Sequence, residues 1–249
     1  MVSSTFVLVH SPLLGPSAWR PLDDVARARG FGVVRPDLTG VADAAWPRWC
    51  SLVDTAVEST SGRADLVVVG HSGAGAFLPA IGHRLKDRLR AVVFVDAILP
   101  PVAGEHRTSE QFLRFLDDKT VDGRLLPWLD WWPTEVVGEL VRSSEELEEL
   151  RSDVPRLRRS FYDAPIPMPD DWSSGPCAYL QLSPAYSEES RMADHLGWPT
   201  SALDGSHLSI FTDPSVVLAA VEDLLDRVEL TRSPDVVGDA RPKDYGVPE

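Results

Sequence analysis

Residues 66–85 read LVVVGHSGAGAFLPAIGHRL, and this stretch decides the fold. A strand-length apolar run enters a glycine-rich turn, and a helix-like segment follows. A serine on a tight turn from strand to helix adopts a strained backbone conformation, which only very small neighbours allow. Gly70 and Ala74, two residues before and after Ser72, are both small. The pattern predicts a nucleophile elbow that lifts the Ser72 hydroxyl above the sheet, rather than a simple packing turn.

Strand-length apolar runs also occur on both sides of this stretch. Together the runs lie at 5–10, 32–35, 66–70, 91–95 and 178–182, with a weaker one near 200–203. Helix-like stretches at 21–29 and 75–89 separate the early runs, and such alternation is typical of a parallel sheet with right-handed crossovers. The sequence therefore predicts an α/β fold with a doubly wound, mostly parallel sheet.

The alternation fails between residues 100 and 176, which are rich in Trp and Pro. Ser143 and Glu146 have the spacing of a helix capping box, and Pro155 is expected to kink or restart the helix that follows. Apolar residues recur there at helical spacing: Leu147, Leu150, Val154, Leu157 and Phe161. We expect residues 100–176 to form a helical cap insertion, either packed onto the sheet or serving as a lid over a site.

Residues 1–99 and 177–230 are predicted to form the core domain around this insertion. Asp213 and Pro214 have the pattern of a helix start, and one apolar stripe follows them. The stripe contains Val217, Leu218, Val221, Leu224, Leu225 and Val228. Residues 231–249 mix prolines, glycines and charges, and we expect a disordered tail there.

Composition narrows the possible partners of the chain. A formal net charge of −14 over 249 residues argues against a nucleic-acid partner, and no apolar run is long enough to span a bilayer. The start of the chain has no leader-peptide pattern, so we expect a cytoplasmic protein. Cys50 and Cys177 lie in no metal-binding or disulfide pattern and are expected to be buried thiols. A small-molecule substrate is expected, with no metal; a homodimer is left open.

A serine hydroxyl is a poor nucleophile without a neighbouring base. His207, in LDGSHLSIF, follows the last strand and precedes the C-terminal helix, where a base for Ser72 is expected. The other histidines stand in contexts that favour structural roles or, for His71 inside the elbow, a place beside the substrate. They are His10, His71, His83, His106 and His195.

The third catalytic member should be a carboxylate that fixes the tautomer of the histidine. Asp96, in VVFVDAILP, ends an apolar strand directly after the elbow strand, where a casual surface charge is not expected. A later strand ends on Ser183 and offers no acid before Glu188. Asp96 is therefore the preferred acid, and Glu188 is the reserve.

With Ser72, Asp96 and His207 in this order, the chain resembles the α/β-hydrolase superfamily over about residues 5–230. The stretches FVLVHSPLLGPSAW and VVFVDAILP are most similar to the small plant-type esterase and hydroxynitrile lyase-like group. The resemblance implies a cofactor-free enzyme with a helical cap over its pocket. In that group the acid usually follows the strand that here ends on Ser183, whereas the Asp96 position resembles that of haloalkane dehalogenases, whose nucleophile is an aspartate.

The first strand leads into a loop that departs from the family pattern. In these families a backbone N–H after the first strand is the second oxyanion donor beside that of Gly73, but the matching residue here is Pro12, which has no N–H. Losing one such donor typically costs about 2.7–4 kcal/mol of transition-state stabilisation. The Ser11 hydroxyl and the Leu13 N–H are the candidates to replace it.

Three functions follow from these residues. The first is a serine hydrolase for a small, largely apolar ester or thioester, with His207 activating Ser72. The second, which Pro12 favours, is non-hydrolytic chemistry on the same fold, as in a lyase, epimerase or cyclase of secondary metabolism, with His207 as base. The third is a catalytically silent binding protein. Tryptophans of the insertion are expected to line an apolar pocket unless they pack within the cap: Trp128, Trp131, Trp132 and Trp172.

Overall fold

One sheet of six parallel strands forms the centre of the computed structural model, which describes residues 4–41, 45–59 and 65–232. The strands in chain order are β1 (Thr5–Val9), β2 (Gly32–Val34), β3 (Leu66–Ser72), β4 (Leu89–Ala97), β5 (Glu105–His106), β6 (Thr120–Val121), β7 (Arg124–Leu125), β8 (Ile166–Pro167), β9 (Cys177–Gln181) and β10 (Thr200–Ala202). The large sheet has the order β10-β9-β4-β3-β1-β2. All six predicted runs are strands of this sheet, so the α/β prediction is confirmed.

The helices follow the strands as crossovers or belong to the segment between β4 and β9. They are α1 (Arg20–Ala28), α2 (Trp46–Glu58), α3 (Leu78–Arg84), α4 (Glu110–Asp117), α5 (Thr134–Gly138), α6 (Ser144–Arg151), α7 (Ser187–His195), α8 (Ser209–Thr212) and α9 (Pro214–Arg232). Short 3-10 helices lie at Pro16–Trp19, Thr39–Val41, Gly73–Phe77, Trp128–Asp130, Arg159–Tyr162, Trp172–Ser174 and Pro184–Tyr186. Within the described ranges, every helix is too short or too polar to cross a lipid bilayer.

The two faces of the sheet carry separate hydrophobic cores. Successive side chains of a strand point to opposite faces, so Phe6 and Leu8 of β1 enter one core while Val7 and Val9 enter the other. Helices α1, α8 and α9 cover the first face, and α2, α3 and α7 cover the second. Burial on both faces explains why these strands are continuous apolar runs with no polar alternation.

The crossovers place a crevice between β1 and β3. Strand β1 pairs with β2 on one side and with β3 on the other, and their helices α1 and α2 cover opposite faces. Ligands of open α/β sheets bind at such a switch point, beyond the carboxyl ends of the strands. Val9 pairs with Gly70 in the β1–β3 register, so Ser11, just after β1, and Ser72, the last residue of β3, lie at this crevice.

Residues 100–176, called the insert below, contain only short elements. Strand β5 pairs with β8, and β6 with β7, as antiparallel two-residue ladders. Hydrogen bonds fasten the insert to the rest of the chain at several places, and two of them lie near the start of the core domain's helices. The Trp46 indole donates to the Pro165 carbonyl at 3.0 Å, and the Asp153 carboxylate accepts from the Ser17 N–H at 2.8 Å and its hydroxyl at 2.6 Å.

Two predicted helices differ in extent from those in the structure. The Ser143 hydroxyl accepts from the Glu146 N–H at 3.3 Å and caps α6 as predicted, but α6 ends at Arg151 and residues 154–158 are not helical. Pro155 cannot supply the N–H that the helix needs there. The predicted helix at 75–89 is a 3-10 turn followed by α3, because β4 already begins at Leu89.

The C-terminal helix α9 forms as predicted from Pro214, and all six residues of its apolar stripe are buried. It continues through Thr231 and Arg232, two residues further than the predicted core. The remainder of the predicted tail, 233–249, lies outside the described residues. Cys50 and Cys177 are buried free thiols, and burial raises the pKa of each to about 12.

Candidate active site

Ser72 stands at the end of β3 with the strained backbone that the sequence predicts. Its φ is 58° and its ψ is −127°, a conformation that residues with a side chain rarely adopt. Two glycines make the turn possible by close packing. A Cβ on Gly75 would lie 2.0 Å from the carbonyl oxygen of Ile98, and one on Gly70 would lie 2.6 Å from the Leu78 side chain.

His207 and Asp96 meet across the sheet although they are 111 residues apart. The Nδ1 atom of His207 lies 2.7 Å from Oδ2 of Asp96. The Asp96 side chain is fully buried, while the His207 side chain keeps 18% of its surface exposed. A carboxylate at Nδ1 holds the proton on that nitrogen, so Nε2 carries the lone pair of a general base. Glu188, the reserve acid, is exposed on α7.

The carboxylate of Asp96 is held by the end of the neighbouring strand. Its Oδ1 accepts from the N–H groups of Leu182 and Ser183 at 2.8 and 2.9 Å, and its Oδ2 accepts from the Ser183 hydroxyl at 2.6 Å. Burial by itself would raise the pKa of Asp96, but the bonds from His207, Ser183 and Leu182 and the charge of His207 outweigh it and hold the pKa below its ordinary value.

His71 holds the loop of the base rather than lining the substrate space, a correction to its predicted place. The side chain is fully buried, and its Nε2–H donates to the His207 carbonyl oxygen at 2.8 Å. The two imidazole rings lie 4.3 Å apart. Burial, together with the charge of His207, lowers the pKa of His71 to about 3, so its ring is neutral at physiological pH.

Tyr186 belongs to the site, and the sequence analysis missed it. Its phenol oxygen lies 3.3 Å from Oγ of Ser72, and its ring stacks on the His207 imidazole with centroids 5.3 Å apart and an angle of 9° between the planes. Burial raises the pKa of the phenol to about 12. No motif surrounds Tyr186; the only signal in the sequence is its place just beyond the carboxyl end of β9.

The loop after β1 lies beside the elbow. A Cβ built on Gly73 would come within 3.1 Å of the Pro12 ring and 3.5 Å of the Ser11 hydroxyl oxygen. The Leu13 N–H donates to that hydroxyl oxygen at 3.3 Å. One of the two candidate oxyanion donors is thus bonded to the other, and the hydroxyl hydrogen of Ser11 is left to donate elsewhere.

A second histidine fixes this loop. His10 is fully buried, and its Nδ1–H donates to the Ser11 carbonyl oxygen at 2.8 Å. Its Nε2 accepts from the Leu38 N–H at 3.1 Å, which sets the tautomer. Burial lowers the pKa of His10, in keeping with a neutral ring. The structural role expected for His10 is therefore to position the residue that precedes Pro12.

A cavity of about 390 Å³ opens between the elbow and the insert. Its wall beside the nucleophile comes from Gly73, Ala76, Phe77, Ile98 and Tyr186. The insert contributes apolar groups, among them Phe112, Phe161 and Ile166, and a polar side of His106, Arg107, Thr108 and Ser109. Glu189 adds one carboxylate, whose pKa burial raises. The volume is that of a pocket for a small molecule.

The tryptophans are placed differently from their predicted position along this cavity. Trp128 stands near the base, with its ring 6.2 Å from the His207 imidazole. Trp131 is buried in the insert and donates to the Leu126 carbonyl, and Trp132 is 41% exposed beside Phe115. Trp172 packs on Phe94 and Trp198. Packing within the insert, the alternative expected from the sequence, describes Trp131, whereas Trp172 packs against the core domain, and none of the four is among the residues that line this cavity.

In the described part of the chain, no group of three or more His, Cys, Asp or Glu side chains is arranged to hold a metal ion. The polar groups of the site are instead a hydroxyl, an imidazole, a carboxylate and a phenol. That set can carry a proton between a nucleophile and a leaving group.

A family model matches most of the chain. The model of the alpha/beta hydrolase family matches residues 6–221, so the chain belongs to this family. The resemblance predicted from the sequence is confirmed.

Individual relatives are similar to this chain over only part of its length. A probable esterase, PIR7A, from Oryza sativa subsp. indica is 34% identical over 134 residues, which are 47% of this chain and 50% of that protein. A carbendazim hydrolyzing esterase from Nocardioides sp. (strain SG-4G) is 28% identical over 104 residues, 39% of this chain and 43% of that protein. The chain thus spans about half the length, or less, of these curated relatives.

A solved structure matches this chain over nearly the whole length of the solved chain. It is an extracellular alpha/beta-hydrolase from a Paenibacillus species, described as sharing structural and functional homology with tobacco salicylic acid binding protein 2. The TM-score is 0.70 at 18% identity, and the match covers 89% of this chain and 98% of that one. At this identity the likeness shows the fold alone.

Proposed function

We propose that the protein is a cofactor-independent serine hydrolase that cleaves a small, largely apolar ester or thioester. One observation carries the proposal: the His207 imidazole is bonded to the buried Asp96 at 2.7 Å, and Tyr186, whose ring stacks on that imidazole, contacts Oγ of a serine held at a positive φ. Such strain persists where the surrounding structure imposes it, and it is concentrated at functional sites. The relatives named as esterases support hydrolysis as the class of reaction.

In the first half of the reaction, Ser72 Oγ attacks the carbonyl carbon and its proton passes to Nε2 of His207. Asp96 stabilises the imidazolium that results. The carbonyl oxygen becomes an oxyanion, which accepts hydrogen bonds from the Gly73 N–H and the Ser11 hydroxyl. The Leu13 N–H polarises that hydroxyl from behind, so Ser11 replaces the donor that Pro12 lacks.

In the second half, the bond between the carbonyl carbon and the leaving oxygen or sulfur breaks, and the leaving group takes the proton from His207. A water molecule then gives a proton to Nε2 and attacks the acyl group on Ser72. The proton returns to Oγ as the acid departs. The enzyme ends in its starting state, so no cofactor enters the balance.

The cavity supports an apolar, ring-sized substrate. Phe77 from the core and Phe112 and Phe161 from the insert provide flat surfaces with few directional contacts. The insert contributes most of the wall, so we assign it the role of a lid over the site. The part of the cavity beside Gly73 and Ala76 would hold the acyl carbon next to the nucleophile.

A fluorophosphonate probe tests the nucleophile, because it phosphorylates an activated serine. We expect labelling of the intact protein on Ser72, and none in Ser72→Ala. The same pair should be compared on p-nitrophenyl esters with acyl chains of graded length, where the variant should lose at least a thousandfold in kcat. Ser206→Ala is a matched control. Ser206 is a partly buried serine that directly precedes His207, and its hydroxyl has no part in the proposed chemistry. A folded protein that takes no label would contradict the proposal.

Two observations keep non-hydrolytic chemistry as a second candidate function. Pro12 removes one backbone donor to an oxyanion, and the partner of Ser72 Oγ in the structure is a phenol. In a lyase, epimerase or cyclase, His207 would act as base while Ser72 and Ser11 hold the substrate. Rapid mixing with an activated ester separates the two, since a burst of released alcohol requires an acyl-enzyme.

A further inference from the structure

The hydroxyl group of Tyr186 is a second polar group at the reacting oxygen, and the triad chemistry does not use it. It lies 3.3 Å from Ser72 Oγ, longer than the 2.7–2.8 Å typical of a hydrogen bond between two hydroxyls. The phenol is therefore placed beside the nucleophile without a tight bond to it. Little free energy is lost when the phenol exchanges this long bond for one to a better acceptor on a bound substrate.

We propose that Tyr186 is a further catalytic residue, whose phenol donates a hydrogen bond to the leaving-group oxygen of the ester as the tetrahedral intermediate collapses. This rests on the proposed function, since it concerns the acylation step of the same serine. It adds a hydrogen-bond donor at the leaving oxygen to the one proton donor there, His207.

The stacking of Tyr186 on His207 indicates on which side of the substrate it acts. The rings are nearly parallel and Nδ1 of His207 is bonded to Asp96, so the phenol lies alongside the ring whose Nε2 serves the reaction. The leaving oxygen has to approach Nε2 to collect its proton. The oxyanion instead faces Gly73 and the Ser11 hydroxyl. A group that contacts both the base and Ser72 Oγ therefore lies on the leaving-group side.

The phenol is suited to donate a hydrogen bond rather than to accept a proton. Burial outweighs the bond to Ser72 and raises the pKa of Tyr186 to about 12, so the group stays protonated over the pH range of ordinary assays. A neutral donor strengthens its bond to an oxygen as negative charge develops there. The same bond to a neutral ester oxygen is weaker, so the phenol favours the transition state over the bound substrate.

The proposed step balances without any added reactant. The bond from the carbonyl carbon to the leaving oxygen breaks and its electron pair goes to that oxygen. The oxygen takes the proton that His207 Nε2 received from Ser72. Tyr186 keeps its own proton throughout and contributes only a hydrogen bond, so the enzyme needs no second base to reset it.

Leaving groups of different basicity test this role. Two esters with the same acyl group are compared, one of p-nitrophenol and one of a simple alcohol, in the wild type and in Tyr186→Phe. The variant keeps the ring on His207 and removes only the hydroxyl. We expect kcat/KM to fall about a hundredfold for the alkyl ester, whose alkoxide needs proton donation, and less than about threefold for the nitrophenyl ester. The ratio kcat/KM reports acylation, the step in which the alcohol departs.

Tyr162→Phe is the matched control. Tyr162 lines the same cavity and packs on Phe112 and Phe161, but its ring is on the insert. This variant should leave the ratio of kcat/KM between the two esters unchanged. Thermal melting checks that both variants fold, and if Tyr186→Phe does not, Tyr186→His and Tyr186→Leu are compared, since only the former offers a donor.

The outcomes separate the two proposals. An equal loss on both esters, or no loss on either, overturns the role of Tyr186 while hydrolysis by Ser72 stands. Hydrolysis that survives in Ser72→Ala, or a wild type that cleaves neither ester, overturns the proposed function and with it the role of Tyr186. A selective loss on the alkyl ester supports both.

Discussion

The two sides of Ser72 are built in different ways. On the side of the base, the Asp96 carboxylate has four hydrogen bonds, from two backbone N–H groups, a hydroxyl and an imidazole. On the oxyanion side, Pro12 has removed a backbone donor, and Leu13 and Ser11 are bonded to each other. The negative charge of Asp96 therefore has four hydrogen-bond donors on one side, whereas an oxyanion on the other side would have few.

The difference can be traced to where the strands end. The resemblance implies an acid after the strand that here ends on Ser183, whereas the structure has Asp96 on the adjacent strand and Ser183 as a donor to it. Neighbouring parallel strands end at the same edge of the sheet, so Asp96 reaches His207 from the end of β4. On the oxyanion side, the donor that we propose is Ser11, a side chain of the loop itself.

Asp96→Asn, on the side of the base, should cause the largest loss of activity among these variants. An amide at this position favours the wrong tautomer of His207, and we expect a loss of about 10⁴-fold in kcat. Steady-state kinetics on a p-nitrophenyl ester measure it. Glu188→Gln removes the exposed reserve acid as a matched control and should change kcat less than about twofold. A larger loss in Glu188→Gln than in Asp96→Asn would show that the acid had been misassigned.

Ser11→Ala should weaken the oxyanion side by an intermediate amount. Removal of one oxyanion donor typically costs about 10²–10³ in kcat, and we expect the lower end with KM little changed. Ser17→Ala, in the 3-10 helix that follows this loop, removes the hydroxyl bound to Asp153 and serves as the control for packing near the loop. If the two variants lose activity equally, the Ser11 hydroxyl is not a donor to the oxyanion.

Ser183→Ala should have the smallest effect on activity and a measurable one on stability. It removes one bond to a buried carboxylate, so we expect a loss of about 1.5–3 kcal/mol in the free energy of unfolding at neutral pH. The native pKa of Asp96 is lowered, so its stabilising contribution is present above about pH 4 and is lost as pH falls through the native pKa. Chemical denaturation from neutral to acidic pH measures this.

The acidic range provides the check on the Ser183 variant. The difference between wild type and Ser183→Ala should shrink as the carboxyl becomes protonated, because the donated bonds then stabilise an uncharged group. A difference that stays constant as pH falls would place the effect of the variant in packing instead of in the charge of Asp96.

Parts of the site could be predicted because they depend on local backbone or on strand ends. Ser72 lies in a turn whose small residues are adjacent in sequence, Asp96 lies at the end of β4, and His207 follows β10. Tyr186, Ser183 as a donor and the structural place of His71 could not be predicted. Each depends on a contact with a residue 87 or more positions away, measured along the chain. The insert was the hardest part, because its helices are short and Pro155 interrupts the apolar spacing.

The sequence by itself determined the order of strands and helices, the elbow at Ser72 and the absence of a backbone donor at Pro12, because periodicity, residue size and a missing N–H act within a few residues. Only the tertiary structure decided which groups surround the nucleophile. The carboxyl ends of β4 and β9 lie side by side, and so Asp96 receives the N–H groups of Leu182 and Ser183. The strand order β9-β4-β3 brings Tyr186, which follows β9, within reach of Ser72 at the end of β3. Hydrogen bonds of this kind depend on distances in space that separation along a chain does not encode.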